Sequence, residues 1–322
     1  MRQALFVKQN ETKWKGYEDK LKKLSSLDMD ELKLIYVDLT EDYAFSRAKY
    51  PEAGLTQYLN ELTLKTHQFI YRNKPERAKR LISFWTEEIP AVLRSTRREQ
   101  AYAFIIMLVG ACIGYLSGTN DATFARLILG DGYVDMTLSN IADGDPMAVY
   151  KGMSESSMFF MITANNIRVS FLAFAFGLIF SVGTGYILFQ NGVMLGVFHQ
   201  LFFSQGIWDE TILTIWIHGT FEISAIIIAG AAGITLGNSF LFPGSYPRIH
   251  SFKLGARKGM KIILSLVPFF IVAGFFEAVL TRNTHWPLAV KLIIIGLSFF
   301  VVIYYLFIYP TLKSKSTNHA VL

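Results

Sequence analysis

Residues 211–236 read TILTIWIHGTFEISAIIIAGAAGITL, an almost unbroken apolar run with His218 and Glu222 near its middle. About 20 apolar residues suffice to cross a hydrocarbon core of about 30 Å, so the run reads as a membrane-spanning helix. His218 and Glu222 are four residues apart, which puts them on one helical face. A charge at a bilayer centre costs roughly 2.5–3.5 kcal/mol on insertion scales. Groups that persist there face a protein interior or a wet cavity and have a partner. The stretch thus marks an all-α, bilayer-embedded fold and a place where function can sit.

Composition extends that reading to the whole chain. Of 322 residues, 52% are hydrophobic, 15% aromatic and only 17% charged, a balance foreign to most soluble domains. The charges are unevenly placed. The first hundred residues carry 19 Lys or Arg and 15 Asp or Glu, against 12 and 10 in the remainder. Two regimes therefore share the chain, a helical cytoplasmic domain over 1–97 and a transmembrane domain over 98–322. Cys112 is the lone cysteine, which excludes an intramolecular disulfide framework. Residues 1–10 lack the apolar core and cleavage site of a secretory signal, so a cytoplasmic N-terminus is expected.

In the front domain, Ser26 followed by Asp28, Asp30 and Glu31 reads as a helix start, and Leu32, Ile35, Tyr36, Leu39 and Tyr43 continue with helical period until Tyr50-Pro51. A second helix fits 56–71. Pro75 suits the first turn of a third, in which Arg77, Lys79 and Arg80 alternate with Leu81, Ile82, Phe84 and Trp85. That pattern fits a helix lying on a membrane surface, and equally one packed into the soluble domain. Acids nearly balance the bases here, which argues against nucleic acid as a partner.

The first span is expected over 101–116, entered past Arg94, Arg97 and Arg98, which mark the cytoplasmic side. Gly110, Gly114 and Gly118 give it two GxxxG spacings suited to close helix approach. A loop over 118–165 follows, with six acids against Arg126 and Lys151, a balance that suits the external face and a solvated surface more than a cation site. Its apolar pieces, 124–129 and 158–162, read as short helices lying on the membrane or over the bundle. The second span is placed at 169–189, with Arg168 at its outer mouth and a turn at Gln190-Asn191-Gly192. Residues 193–207 then form a third segment of about 22 Å rise, short for a crossing and so either a thinned span or a re-entrant one. The basic, acid-free segment 238–261 falls inside only if it crosses. Spans at 261–281 and 287–309 complete about six, with both termini cytoplasmic.

Ionisable groups in this region include His199, His218, Glu222 and Glu277, and they can build a buried proton or ion path or fix helix register by hydrogen bonds. HGTFE is not HExxH, and no recognisable metal-ligand spacing occurs. GxSxG and GxxxxGK[ST] are also missing from the sequence, so neither an enzyme, a metal nor a cofactor is expected.

Asn165-Asn166 leading into a Gly-rich span, then LFQNGVMLGVF, HGTFEISAIIIAGAAG and AGFFEAVLT, together resemble the stage II sporulation protein M family of integral membrane proteins. Gln9-Asn10-Glu11 with Trp14, and Phe84, Pro90 and Arg94, resemble its longer, non-sporulating members. Nearly the whole chain is covered. The resemblance implies an all-helical protein of the bacterial cytoplasmic membrane. Asn191, Gly192, His218, Gly219, Glu222 and Glu277 match the family motifs. The partners it implies are peptidoglycan-remodelling enzymes and MoxR-type AAA ATPases, although the long front domain departs from the sporulation version. The first functional expectation is a non-enzymatic scaffold organising a cell-envelope complex. Small-residue faces at Gly192 and Gly196, and at Ala229, Gly233 and Gly237, would serve close packing or a homodimer. The alternative is a transporter or channel, proton-coupled through Glu222 and Glu277.

Overall fold

The computed structural model describes residues 3–22, 29–52, 54–72, 77–121, 123–282 and 286–313, and no strand occurs among them. The chain forms two compact units, Met1–Ile82 and Ser83–Leu322.

In the first unit, α1 (Gln3–Lys22), α2 (Met29–Lys49) and α3 (Gly54–Arg72) share a core of Phe6, Trp14, Leu21, Leu39, Leu59 and their neighbours. A buried indole N–H needs an acceptor, and Trp14 Nε1 donates to Asp42 Oδ2 at 2.8 Å, where Lys13 also pairs at 2.6 Å. The Tyr17 hydroxyl donates to Asp38 at 2.6 Å. Partial burial and that bond push the Tyr17 phenol up to about 12. Helix α1 escapes sequence reading because its apolar residues are sparse. The start read at Ser26, and Pro75, lie outside the described residues. Helix α4 (Arg77–Ser83) closes this part of the chain with Leu81 and Ile82 exposed.

The second unit begins at Ser83, ahead of the boundary read at 97/98. Ile89 and Leu93 of α5 (Ile89–Ser95) are fully buried, and α5 packs on the spans. Tyr305 and Tyr309 donate to the carbonyls of Trp85 and Thr86, each at 3.1 Å, and Lys261 pairs with Glu88 at 2.6 Å. Phe84 and Trp85 thus dock against the span helices.

Among the described residues, six helices are long and apolar enough to cross a membrane. They are α6 (Arg97–Asn120), α9 (Glu155–Ala175, extended by one 3-10 turn to Leu178), α10 (Val182–Ser204), α11 (Trp208–Leu241), α12 (Arg248–Phe275, continued as a π turn to Thr281) and α13 (Leu288–Ile303, continued through a π turn at Tyr304–Ile308). Between α6 and α9 lie the short α7 (Phe124–Leu129) and α8 (Asp131–Ala142). Helix α11 is the most buried span and packs against each of the other five.

Two sequence expectations are corrected. The segment 158–162 belongs to α9, so the second span runs from Glu155 to Leu178 and the connecting segment before it is shorter than 118–165. Gln190-Asn191-Gly192 is no turn. It lies inside α10, a 23-residue helix, so the third span is full length rather than short or re-entrant. The break falls at Ile179-Phe180-Ser181, where Phe180 (φ 50°) and Ser181 (φ 64°) both take the left-handed region, a conformation that costs roughly 1–2 kcal/mol per residue. The Ser181 hydroxyl, directed at the Ile234 carbonyl (3.1 Å) and Asn238 Oδ1 (3.2 Å) of α11, holds it there.

The glycines are spent inside the unit. On α6, Gly110 and Gly114 abut the α10 backbone around Phe189 and Val193, and Gly118 abuts Gln200. On α10, a Cβ at Gly192 would run into the Met107 carbonyl and one at Gly196 into that of Ala111. Gly233 and Gly237 of α11 face Ala173, Thr184 and Ser181, whereas Gly219 meets only Ile223 at ordinary distance.

Candidate functional site

Helix α11 and the end of α12 bring His218, Glu222 and Glu277 together. One ligand-type atom from each lies within 4.8 Å of the others, and His218 Nε2 is 3.9 Å from Glu277 Oε2. His218 is 5% exposed. Local structure explains the convergence. His218 and Glu222 share an α11 face by their i, i+4 spacing, and Glu277 and Thr281 sit in the π turn that ends the fifth span. Wide turns of this kind gather at functional sites.

Thr281 Oγ1 lies 2.9 Å from His218 Nδ1 and 3.5 Å from the Thr214 carbonyl. The hydroxyl can accept from His218 Nδ1–H, which turns the Nε2 lone pair toward Glu277, or donate to Nδ1, which turns Nε2–H toward that carboxylate. Thr214 in turn accepts from Lys291 Nζ at 2.9 Å through its own hydroxyl. A polar line therefore runs from Lys291 through Thr214 and Thr281 to His218. It begins at a cavity of about 350 Å³ lined by Asp145, Thr211, Thr214, Trp286 and Lys291, at the end of the bundle where the acidic segment lies.

Helix α9 supplies the other wall. Thr163, Asn166 and Ser170 form one face of it, are buried, and each carries a polar atom with no hydrogen-bond partner. The Asn166 amide faces the Glu222 carboxylate, and its Nδ2 makes no bond of ordinary geometry. From α8, Tyr133 comes near enough to feel Glu277. Burial raises its phenol pKa above the usual value, a bond with Thr137 opposes this, and the Glu277 charge adds to the rise.

The remaining sequence candidates lie elsewhere. His199 Nδ1 donates to the Leu195 carbonyl at 2.8 Å and Nε2 accepts from Trp216 Nε1 at 3.2 Å, which satisfies a neutral ring. Asn191 Nδ2 donates to its own helix at Ile187. Arg168 was expected at the outer mouth of the second span. It sits instead near the middle of α9, exposed on the face away from the bundle, because α9 starts earlier than the sequence reading placed it. Sequence reasoning singled out neither Asn166 as a site residue nor Thr281. The signal for the first was the 163/166/170 spacing of polar residues on an otherwise apolar helix.

Residues 103–282 match the family model described as stage II sporulation protein M, more than half of the chain. The chain belongs to that family. The family region includes His218, Glu222, Glu277 and Thr281, and it stops before the sixth span. Residues 4–72 match a domain of unknown function, DUF8413, whose limits coincide with α1 to α3. No curated protein and no solved structure matches the chain. What this family member offers chemically is an imidazole and two carboxylates held within reach of one another inside a bundle of membrane spans.

Proposed function

We propose that this multi-pass membrane protein is a cation-handling transporter or channel, with His218, Glu222 and Glu277 as the coordinating station on its path. The observation that carries the reading is the meeting, inside one bundle, of two intramembrane carboxylates and an imidazole from helices some 60 residues apart in sequence. Intramembrane ionisable groups are costly and mark ion paths and proton relays. The cavity that reaches Thr214 supplies an approach from the side of the acidic segment.

The arginines before α6 and the bases at the start of α12 favour a cytoplasmic N-terminus and, with six spans, a cytoplasmic C-terminus in a bacterial inner membrane. The positions of the GxxxG glycines favour internal packing as their role. A homo-oligomer would use another face, and Arg168 and Asn165, exposed mid-span on α9, mark the one that a second copy would cover at the greatest gain.

The test is flux in liposomes. Reconstituted protein should dissipate an imposed proton or divalent-cation gradient, and Glu222→Gln, which keeps shape and removes the charge, should abolish it. Intact flux in that variant, or none in the parent across both gradients, overturns the reading.

A second reading, an organiser of an envelope complex, is favoured by one observation: the first unit is a compact helical body of its own, matched by its own domain family. Its test is purification from native membranes in mild detergent. Stoichiometric co-elution of a peptidoglycan hydrolase or an AAA ATPase supports it, and a lone oligomer counts against it.

A further inference from the structure

We propose that His218, Glu222 and Glu277 bind one divalent transition-metal ion of the Zn²⁺, Mn²⁺ or Fe²⁺ type, with Thr281 and Asn166 holding the ligands in place. The proposal deepens the transport reading of the same site by naming the ion class.

Geometry is the first support. Bonds of about 2.0–2.2 Å to nitrogen and oxygen ligands separate the ligand atoms by about 3–4 Å. Here they lie within 4.8 Å, and the imidazole and one carboxylate are already 3.9 Å apart. Small side-chain rotations close the remainder.

Second, the imidazole is set up as a ligand. A metal-binding histidine usually donates its other ring N–H to a fixed acceptor, which chooses the tautomer and aims the lone pair. Thr281 Oγ1, 2.9 Å from Nδ1, can serve as that acceptor, and Nε2 lies 3.9 Å from Glu277 Oε2.

Charge is the third argument. One doubly positive ion would balance both carboxylates in their ionised forms inside the membrane bundle. The nearest lysine on the polar line, Lys291, is engaged with Thr214.

Independent of the cluster itself is Asn166. Only 4% exposed, it presents its amide to the Glu222 carboxylate as a hydrogen-bond partner. Its place is explained if Glu222 turns toward the ion and accepts from Asn166 with its second oxygen.

The donor set selects the ion. One imidazole and two carboxylates suit Zn²⁺, Mn²⁺ and Fe²⁺, whereas Ca²⁺ and Mg²⁺ prefer all-oxygen shells and Cu⁺ prefers sulfur, of which the nearest cysteine, Cys112, is exposed on α6. Three protein ligands leave a coordination position open, as a site that exchanges its ion or presents it to a substrate requires.

The experiment is metal analysis of the full chain, purified in detergent, stripped with chelator and reloaded separately with Zn²⁺, Mn²⁺ and Fe²⁺. About one ion per chain should be retained by the parent and by His199→Gln, with affinity falling at least tenfold in Glu222→Gln and in Glu277→Gln. Thr281→Val keeps all three ligands and should lower affinity about 10- to 100-fold, which covers the case in which a carboxylate variant fails to fold. Background metal in folded parent for all three ions overturns the proposal, as does full retention in a folded Glu222→Gln, Glu277→Gln double variant. Metal bound without flux leaves the proposal standing and removes the transport reading. Flux without bound metal does the reverse.

Discussion

The seam between α6 and α10 and the pocket between α9, α11 and the end of α12 lie in the same bundle and are built on opposite rules. At the seam, backbones touch backbones through Gly110, Gly114, Gly192 and Gly196, without a charged side chain between them. In the pocket, His218, Glu222 and Glu277 meet beneath a wall where Asn166 faces the Glu222 carboxylate and the hydroxyls of Thr163 and Ser170 lack partners. Close backbone approach is the main source of helix association in lipid, so the seam holds the bundle together. Unpartnered buried polar atoms work against folding, so the pocket is kept for what it does.

The largest effect that would break this contrast is at the seam. Gly196→Leu forces a side chain into the Ala111 carbonyl and should cost about 3 kcal/mol or more, read as a collapse of the monodisperse peak and thermal midpoint in detergent. Tolerance of the leucine would mean the two helices separate freely. Next comes a substitution of opposite sign. Ser170→Ala removes an unsatisfied buried hydroxyl and should raise stability by about 1 kcal/mol. A drop in thermal stability instead would show that the Ser170 hydroxyl makes a structural bond, and the pocket no different in kind from the seam. Thr281→Val should cost about 1 kcal/mol through the lost bond to His218, with a larger fractional loss of activity than of stability.

The smallest effect lies outside both regions and calibrates them. Tyr17 has a folded pKa of about 12, above the ordinary value of 10, so the neutral phenol is favoured by folding. The stability it contributes is whole below pH 10 and is lost as pH rises toward 12. Tyr17→Phe should flatten that part of the profile, followed by helical signal in the full chain, while leaving the neutral-pH behaviour of the pocket untouched.

Much of this was legible in residue order. Six apolar runs announce six spans, and the rarity of charge within them singles out His218, Glu222 and Glu277 without coordinates. The division between the second and third spans was not legible, for a physical reason. Asn191-Gly192 carries the composition of a turn, yet Gly192 is there to let α6 approach. The real break at Phe180-Ser181 carries no Gly, Pro, Asn or Asp and exists because Ser181 is held by α11, a tertiary cause invisible to local pattern. Asn166 and Thr281 stayed hidden likewise, since a single amide or hydroxyl on an apolar helix gains meaning only from what it faces.

The π turn at Phe276–Thr281 sets the helical phase at the end of the fifth span. Each residue of a regular helix advances the side chains by about 100°. Deleting Val279 alone would let the turn relax to α geometry, draw Thr281 in by one residue and turn it by roughly a few tens of degrees about the helix axis relative to Glu277, enough to misalign its hydroxyl with His218. The orientation of the imidazole is thus written in the length of the chain at this point, one residue deep, as much as in the identity of any side chain.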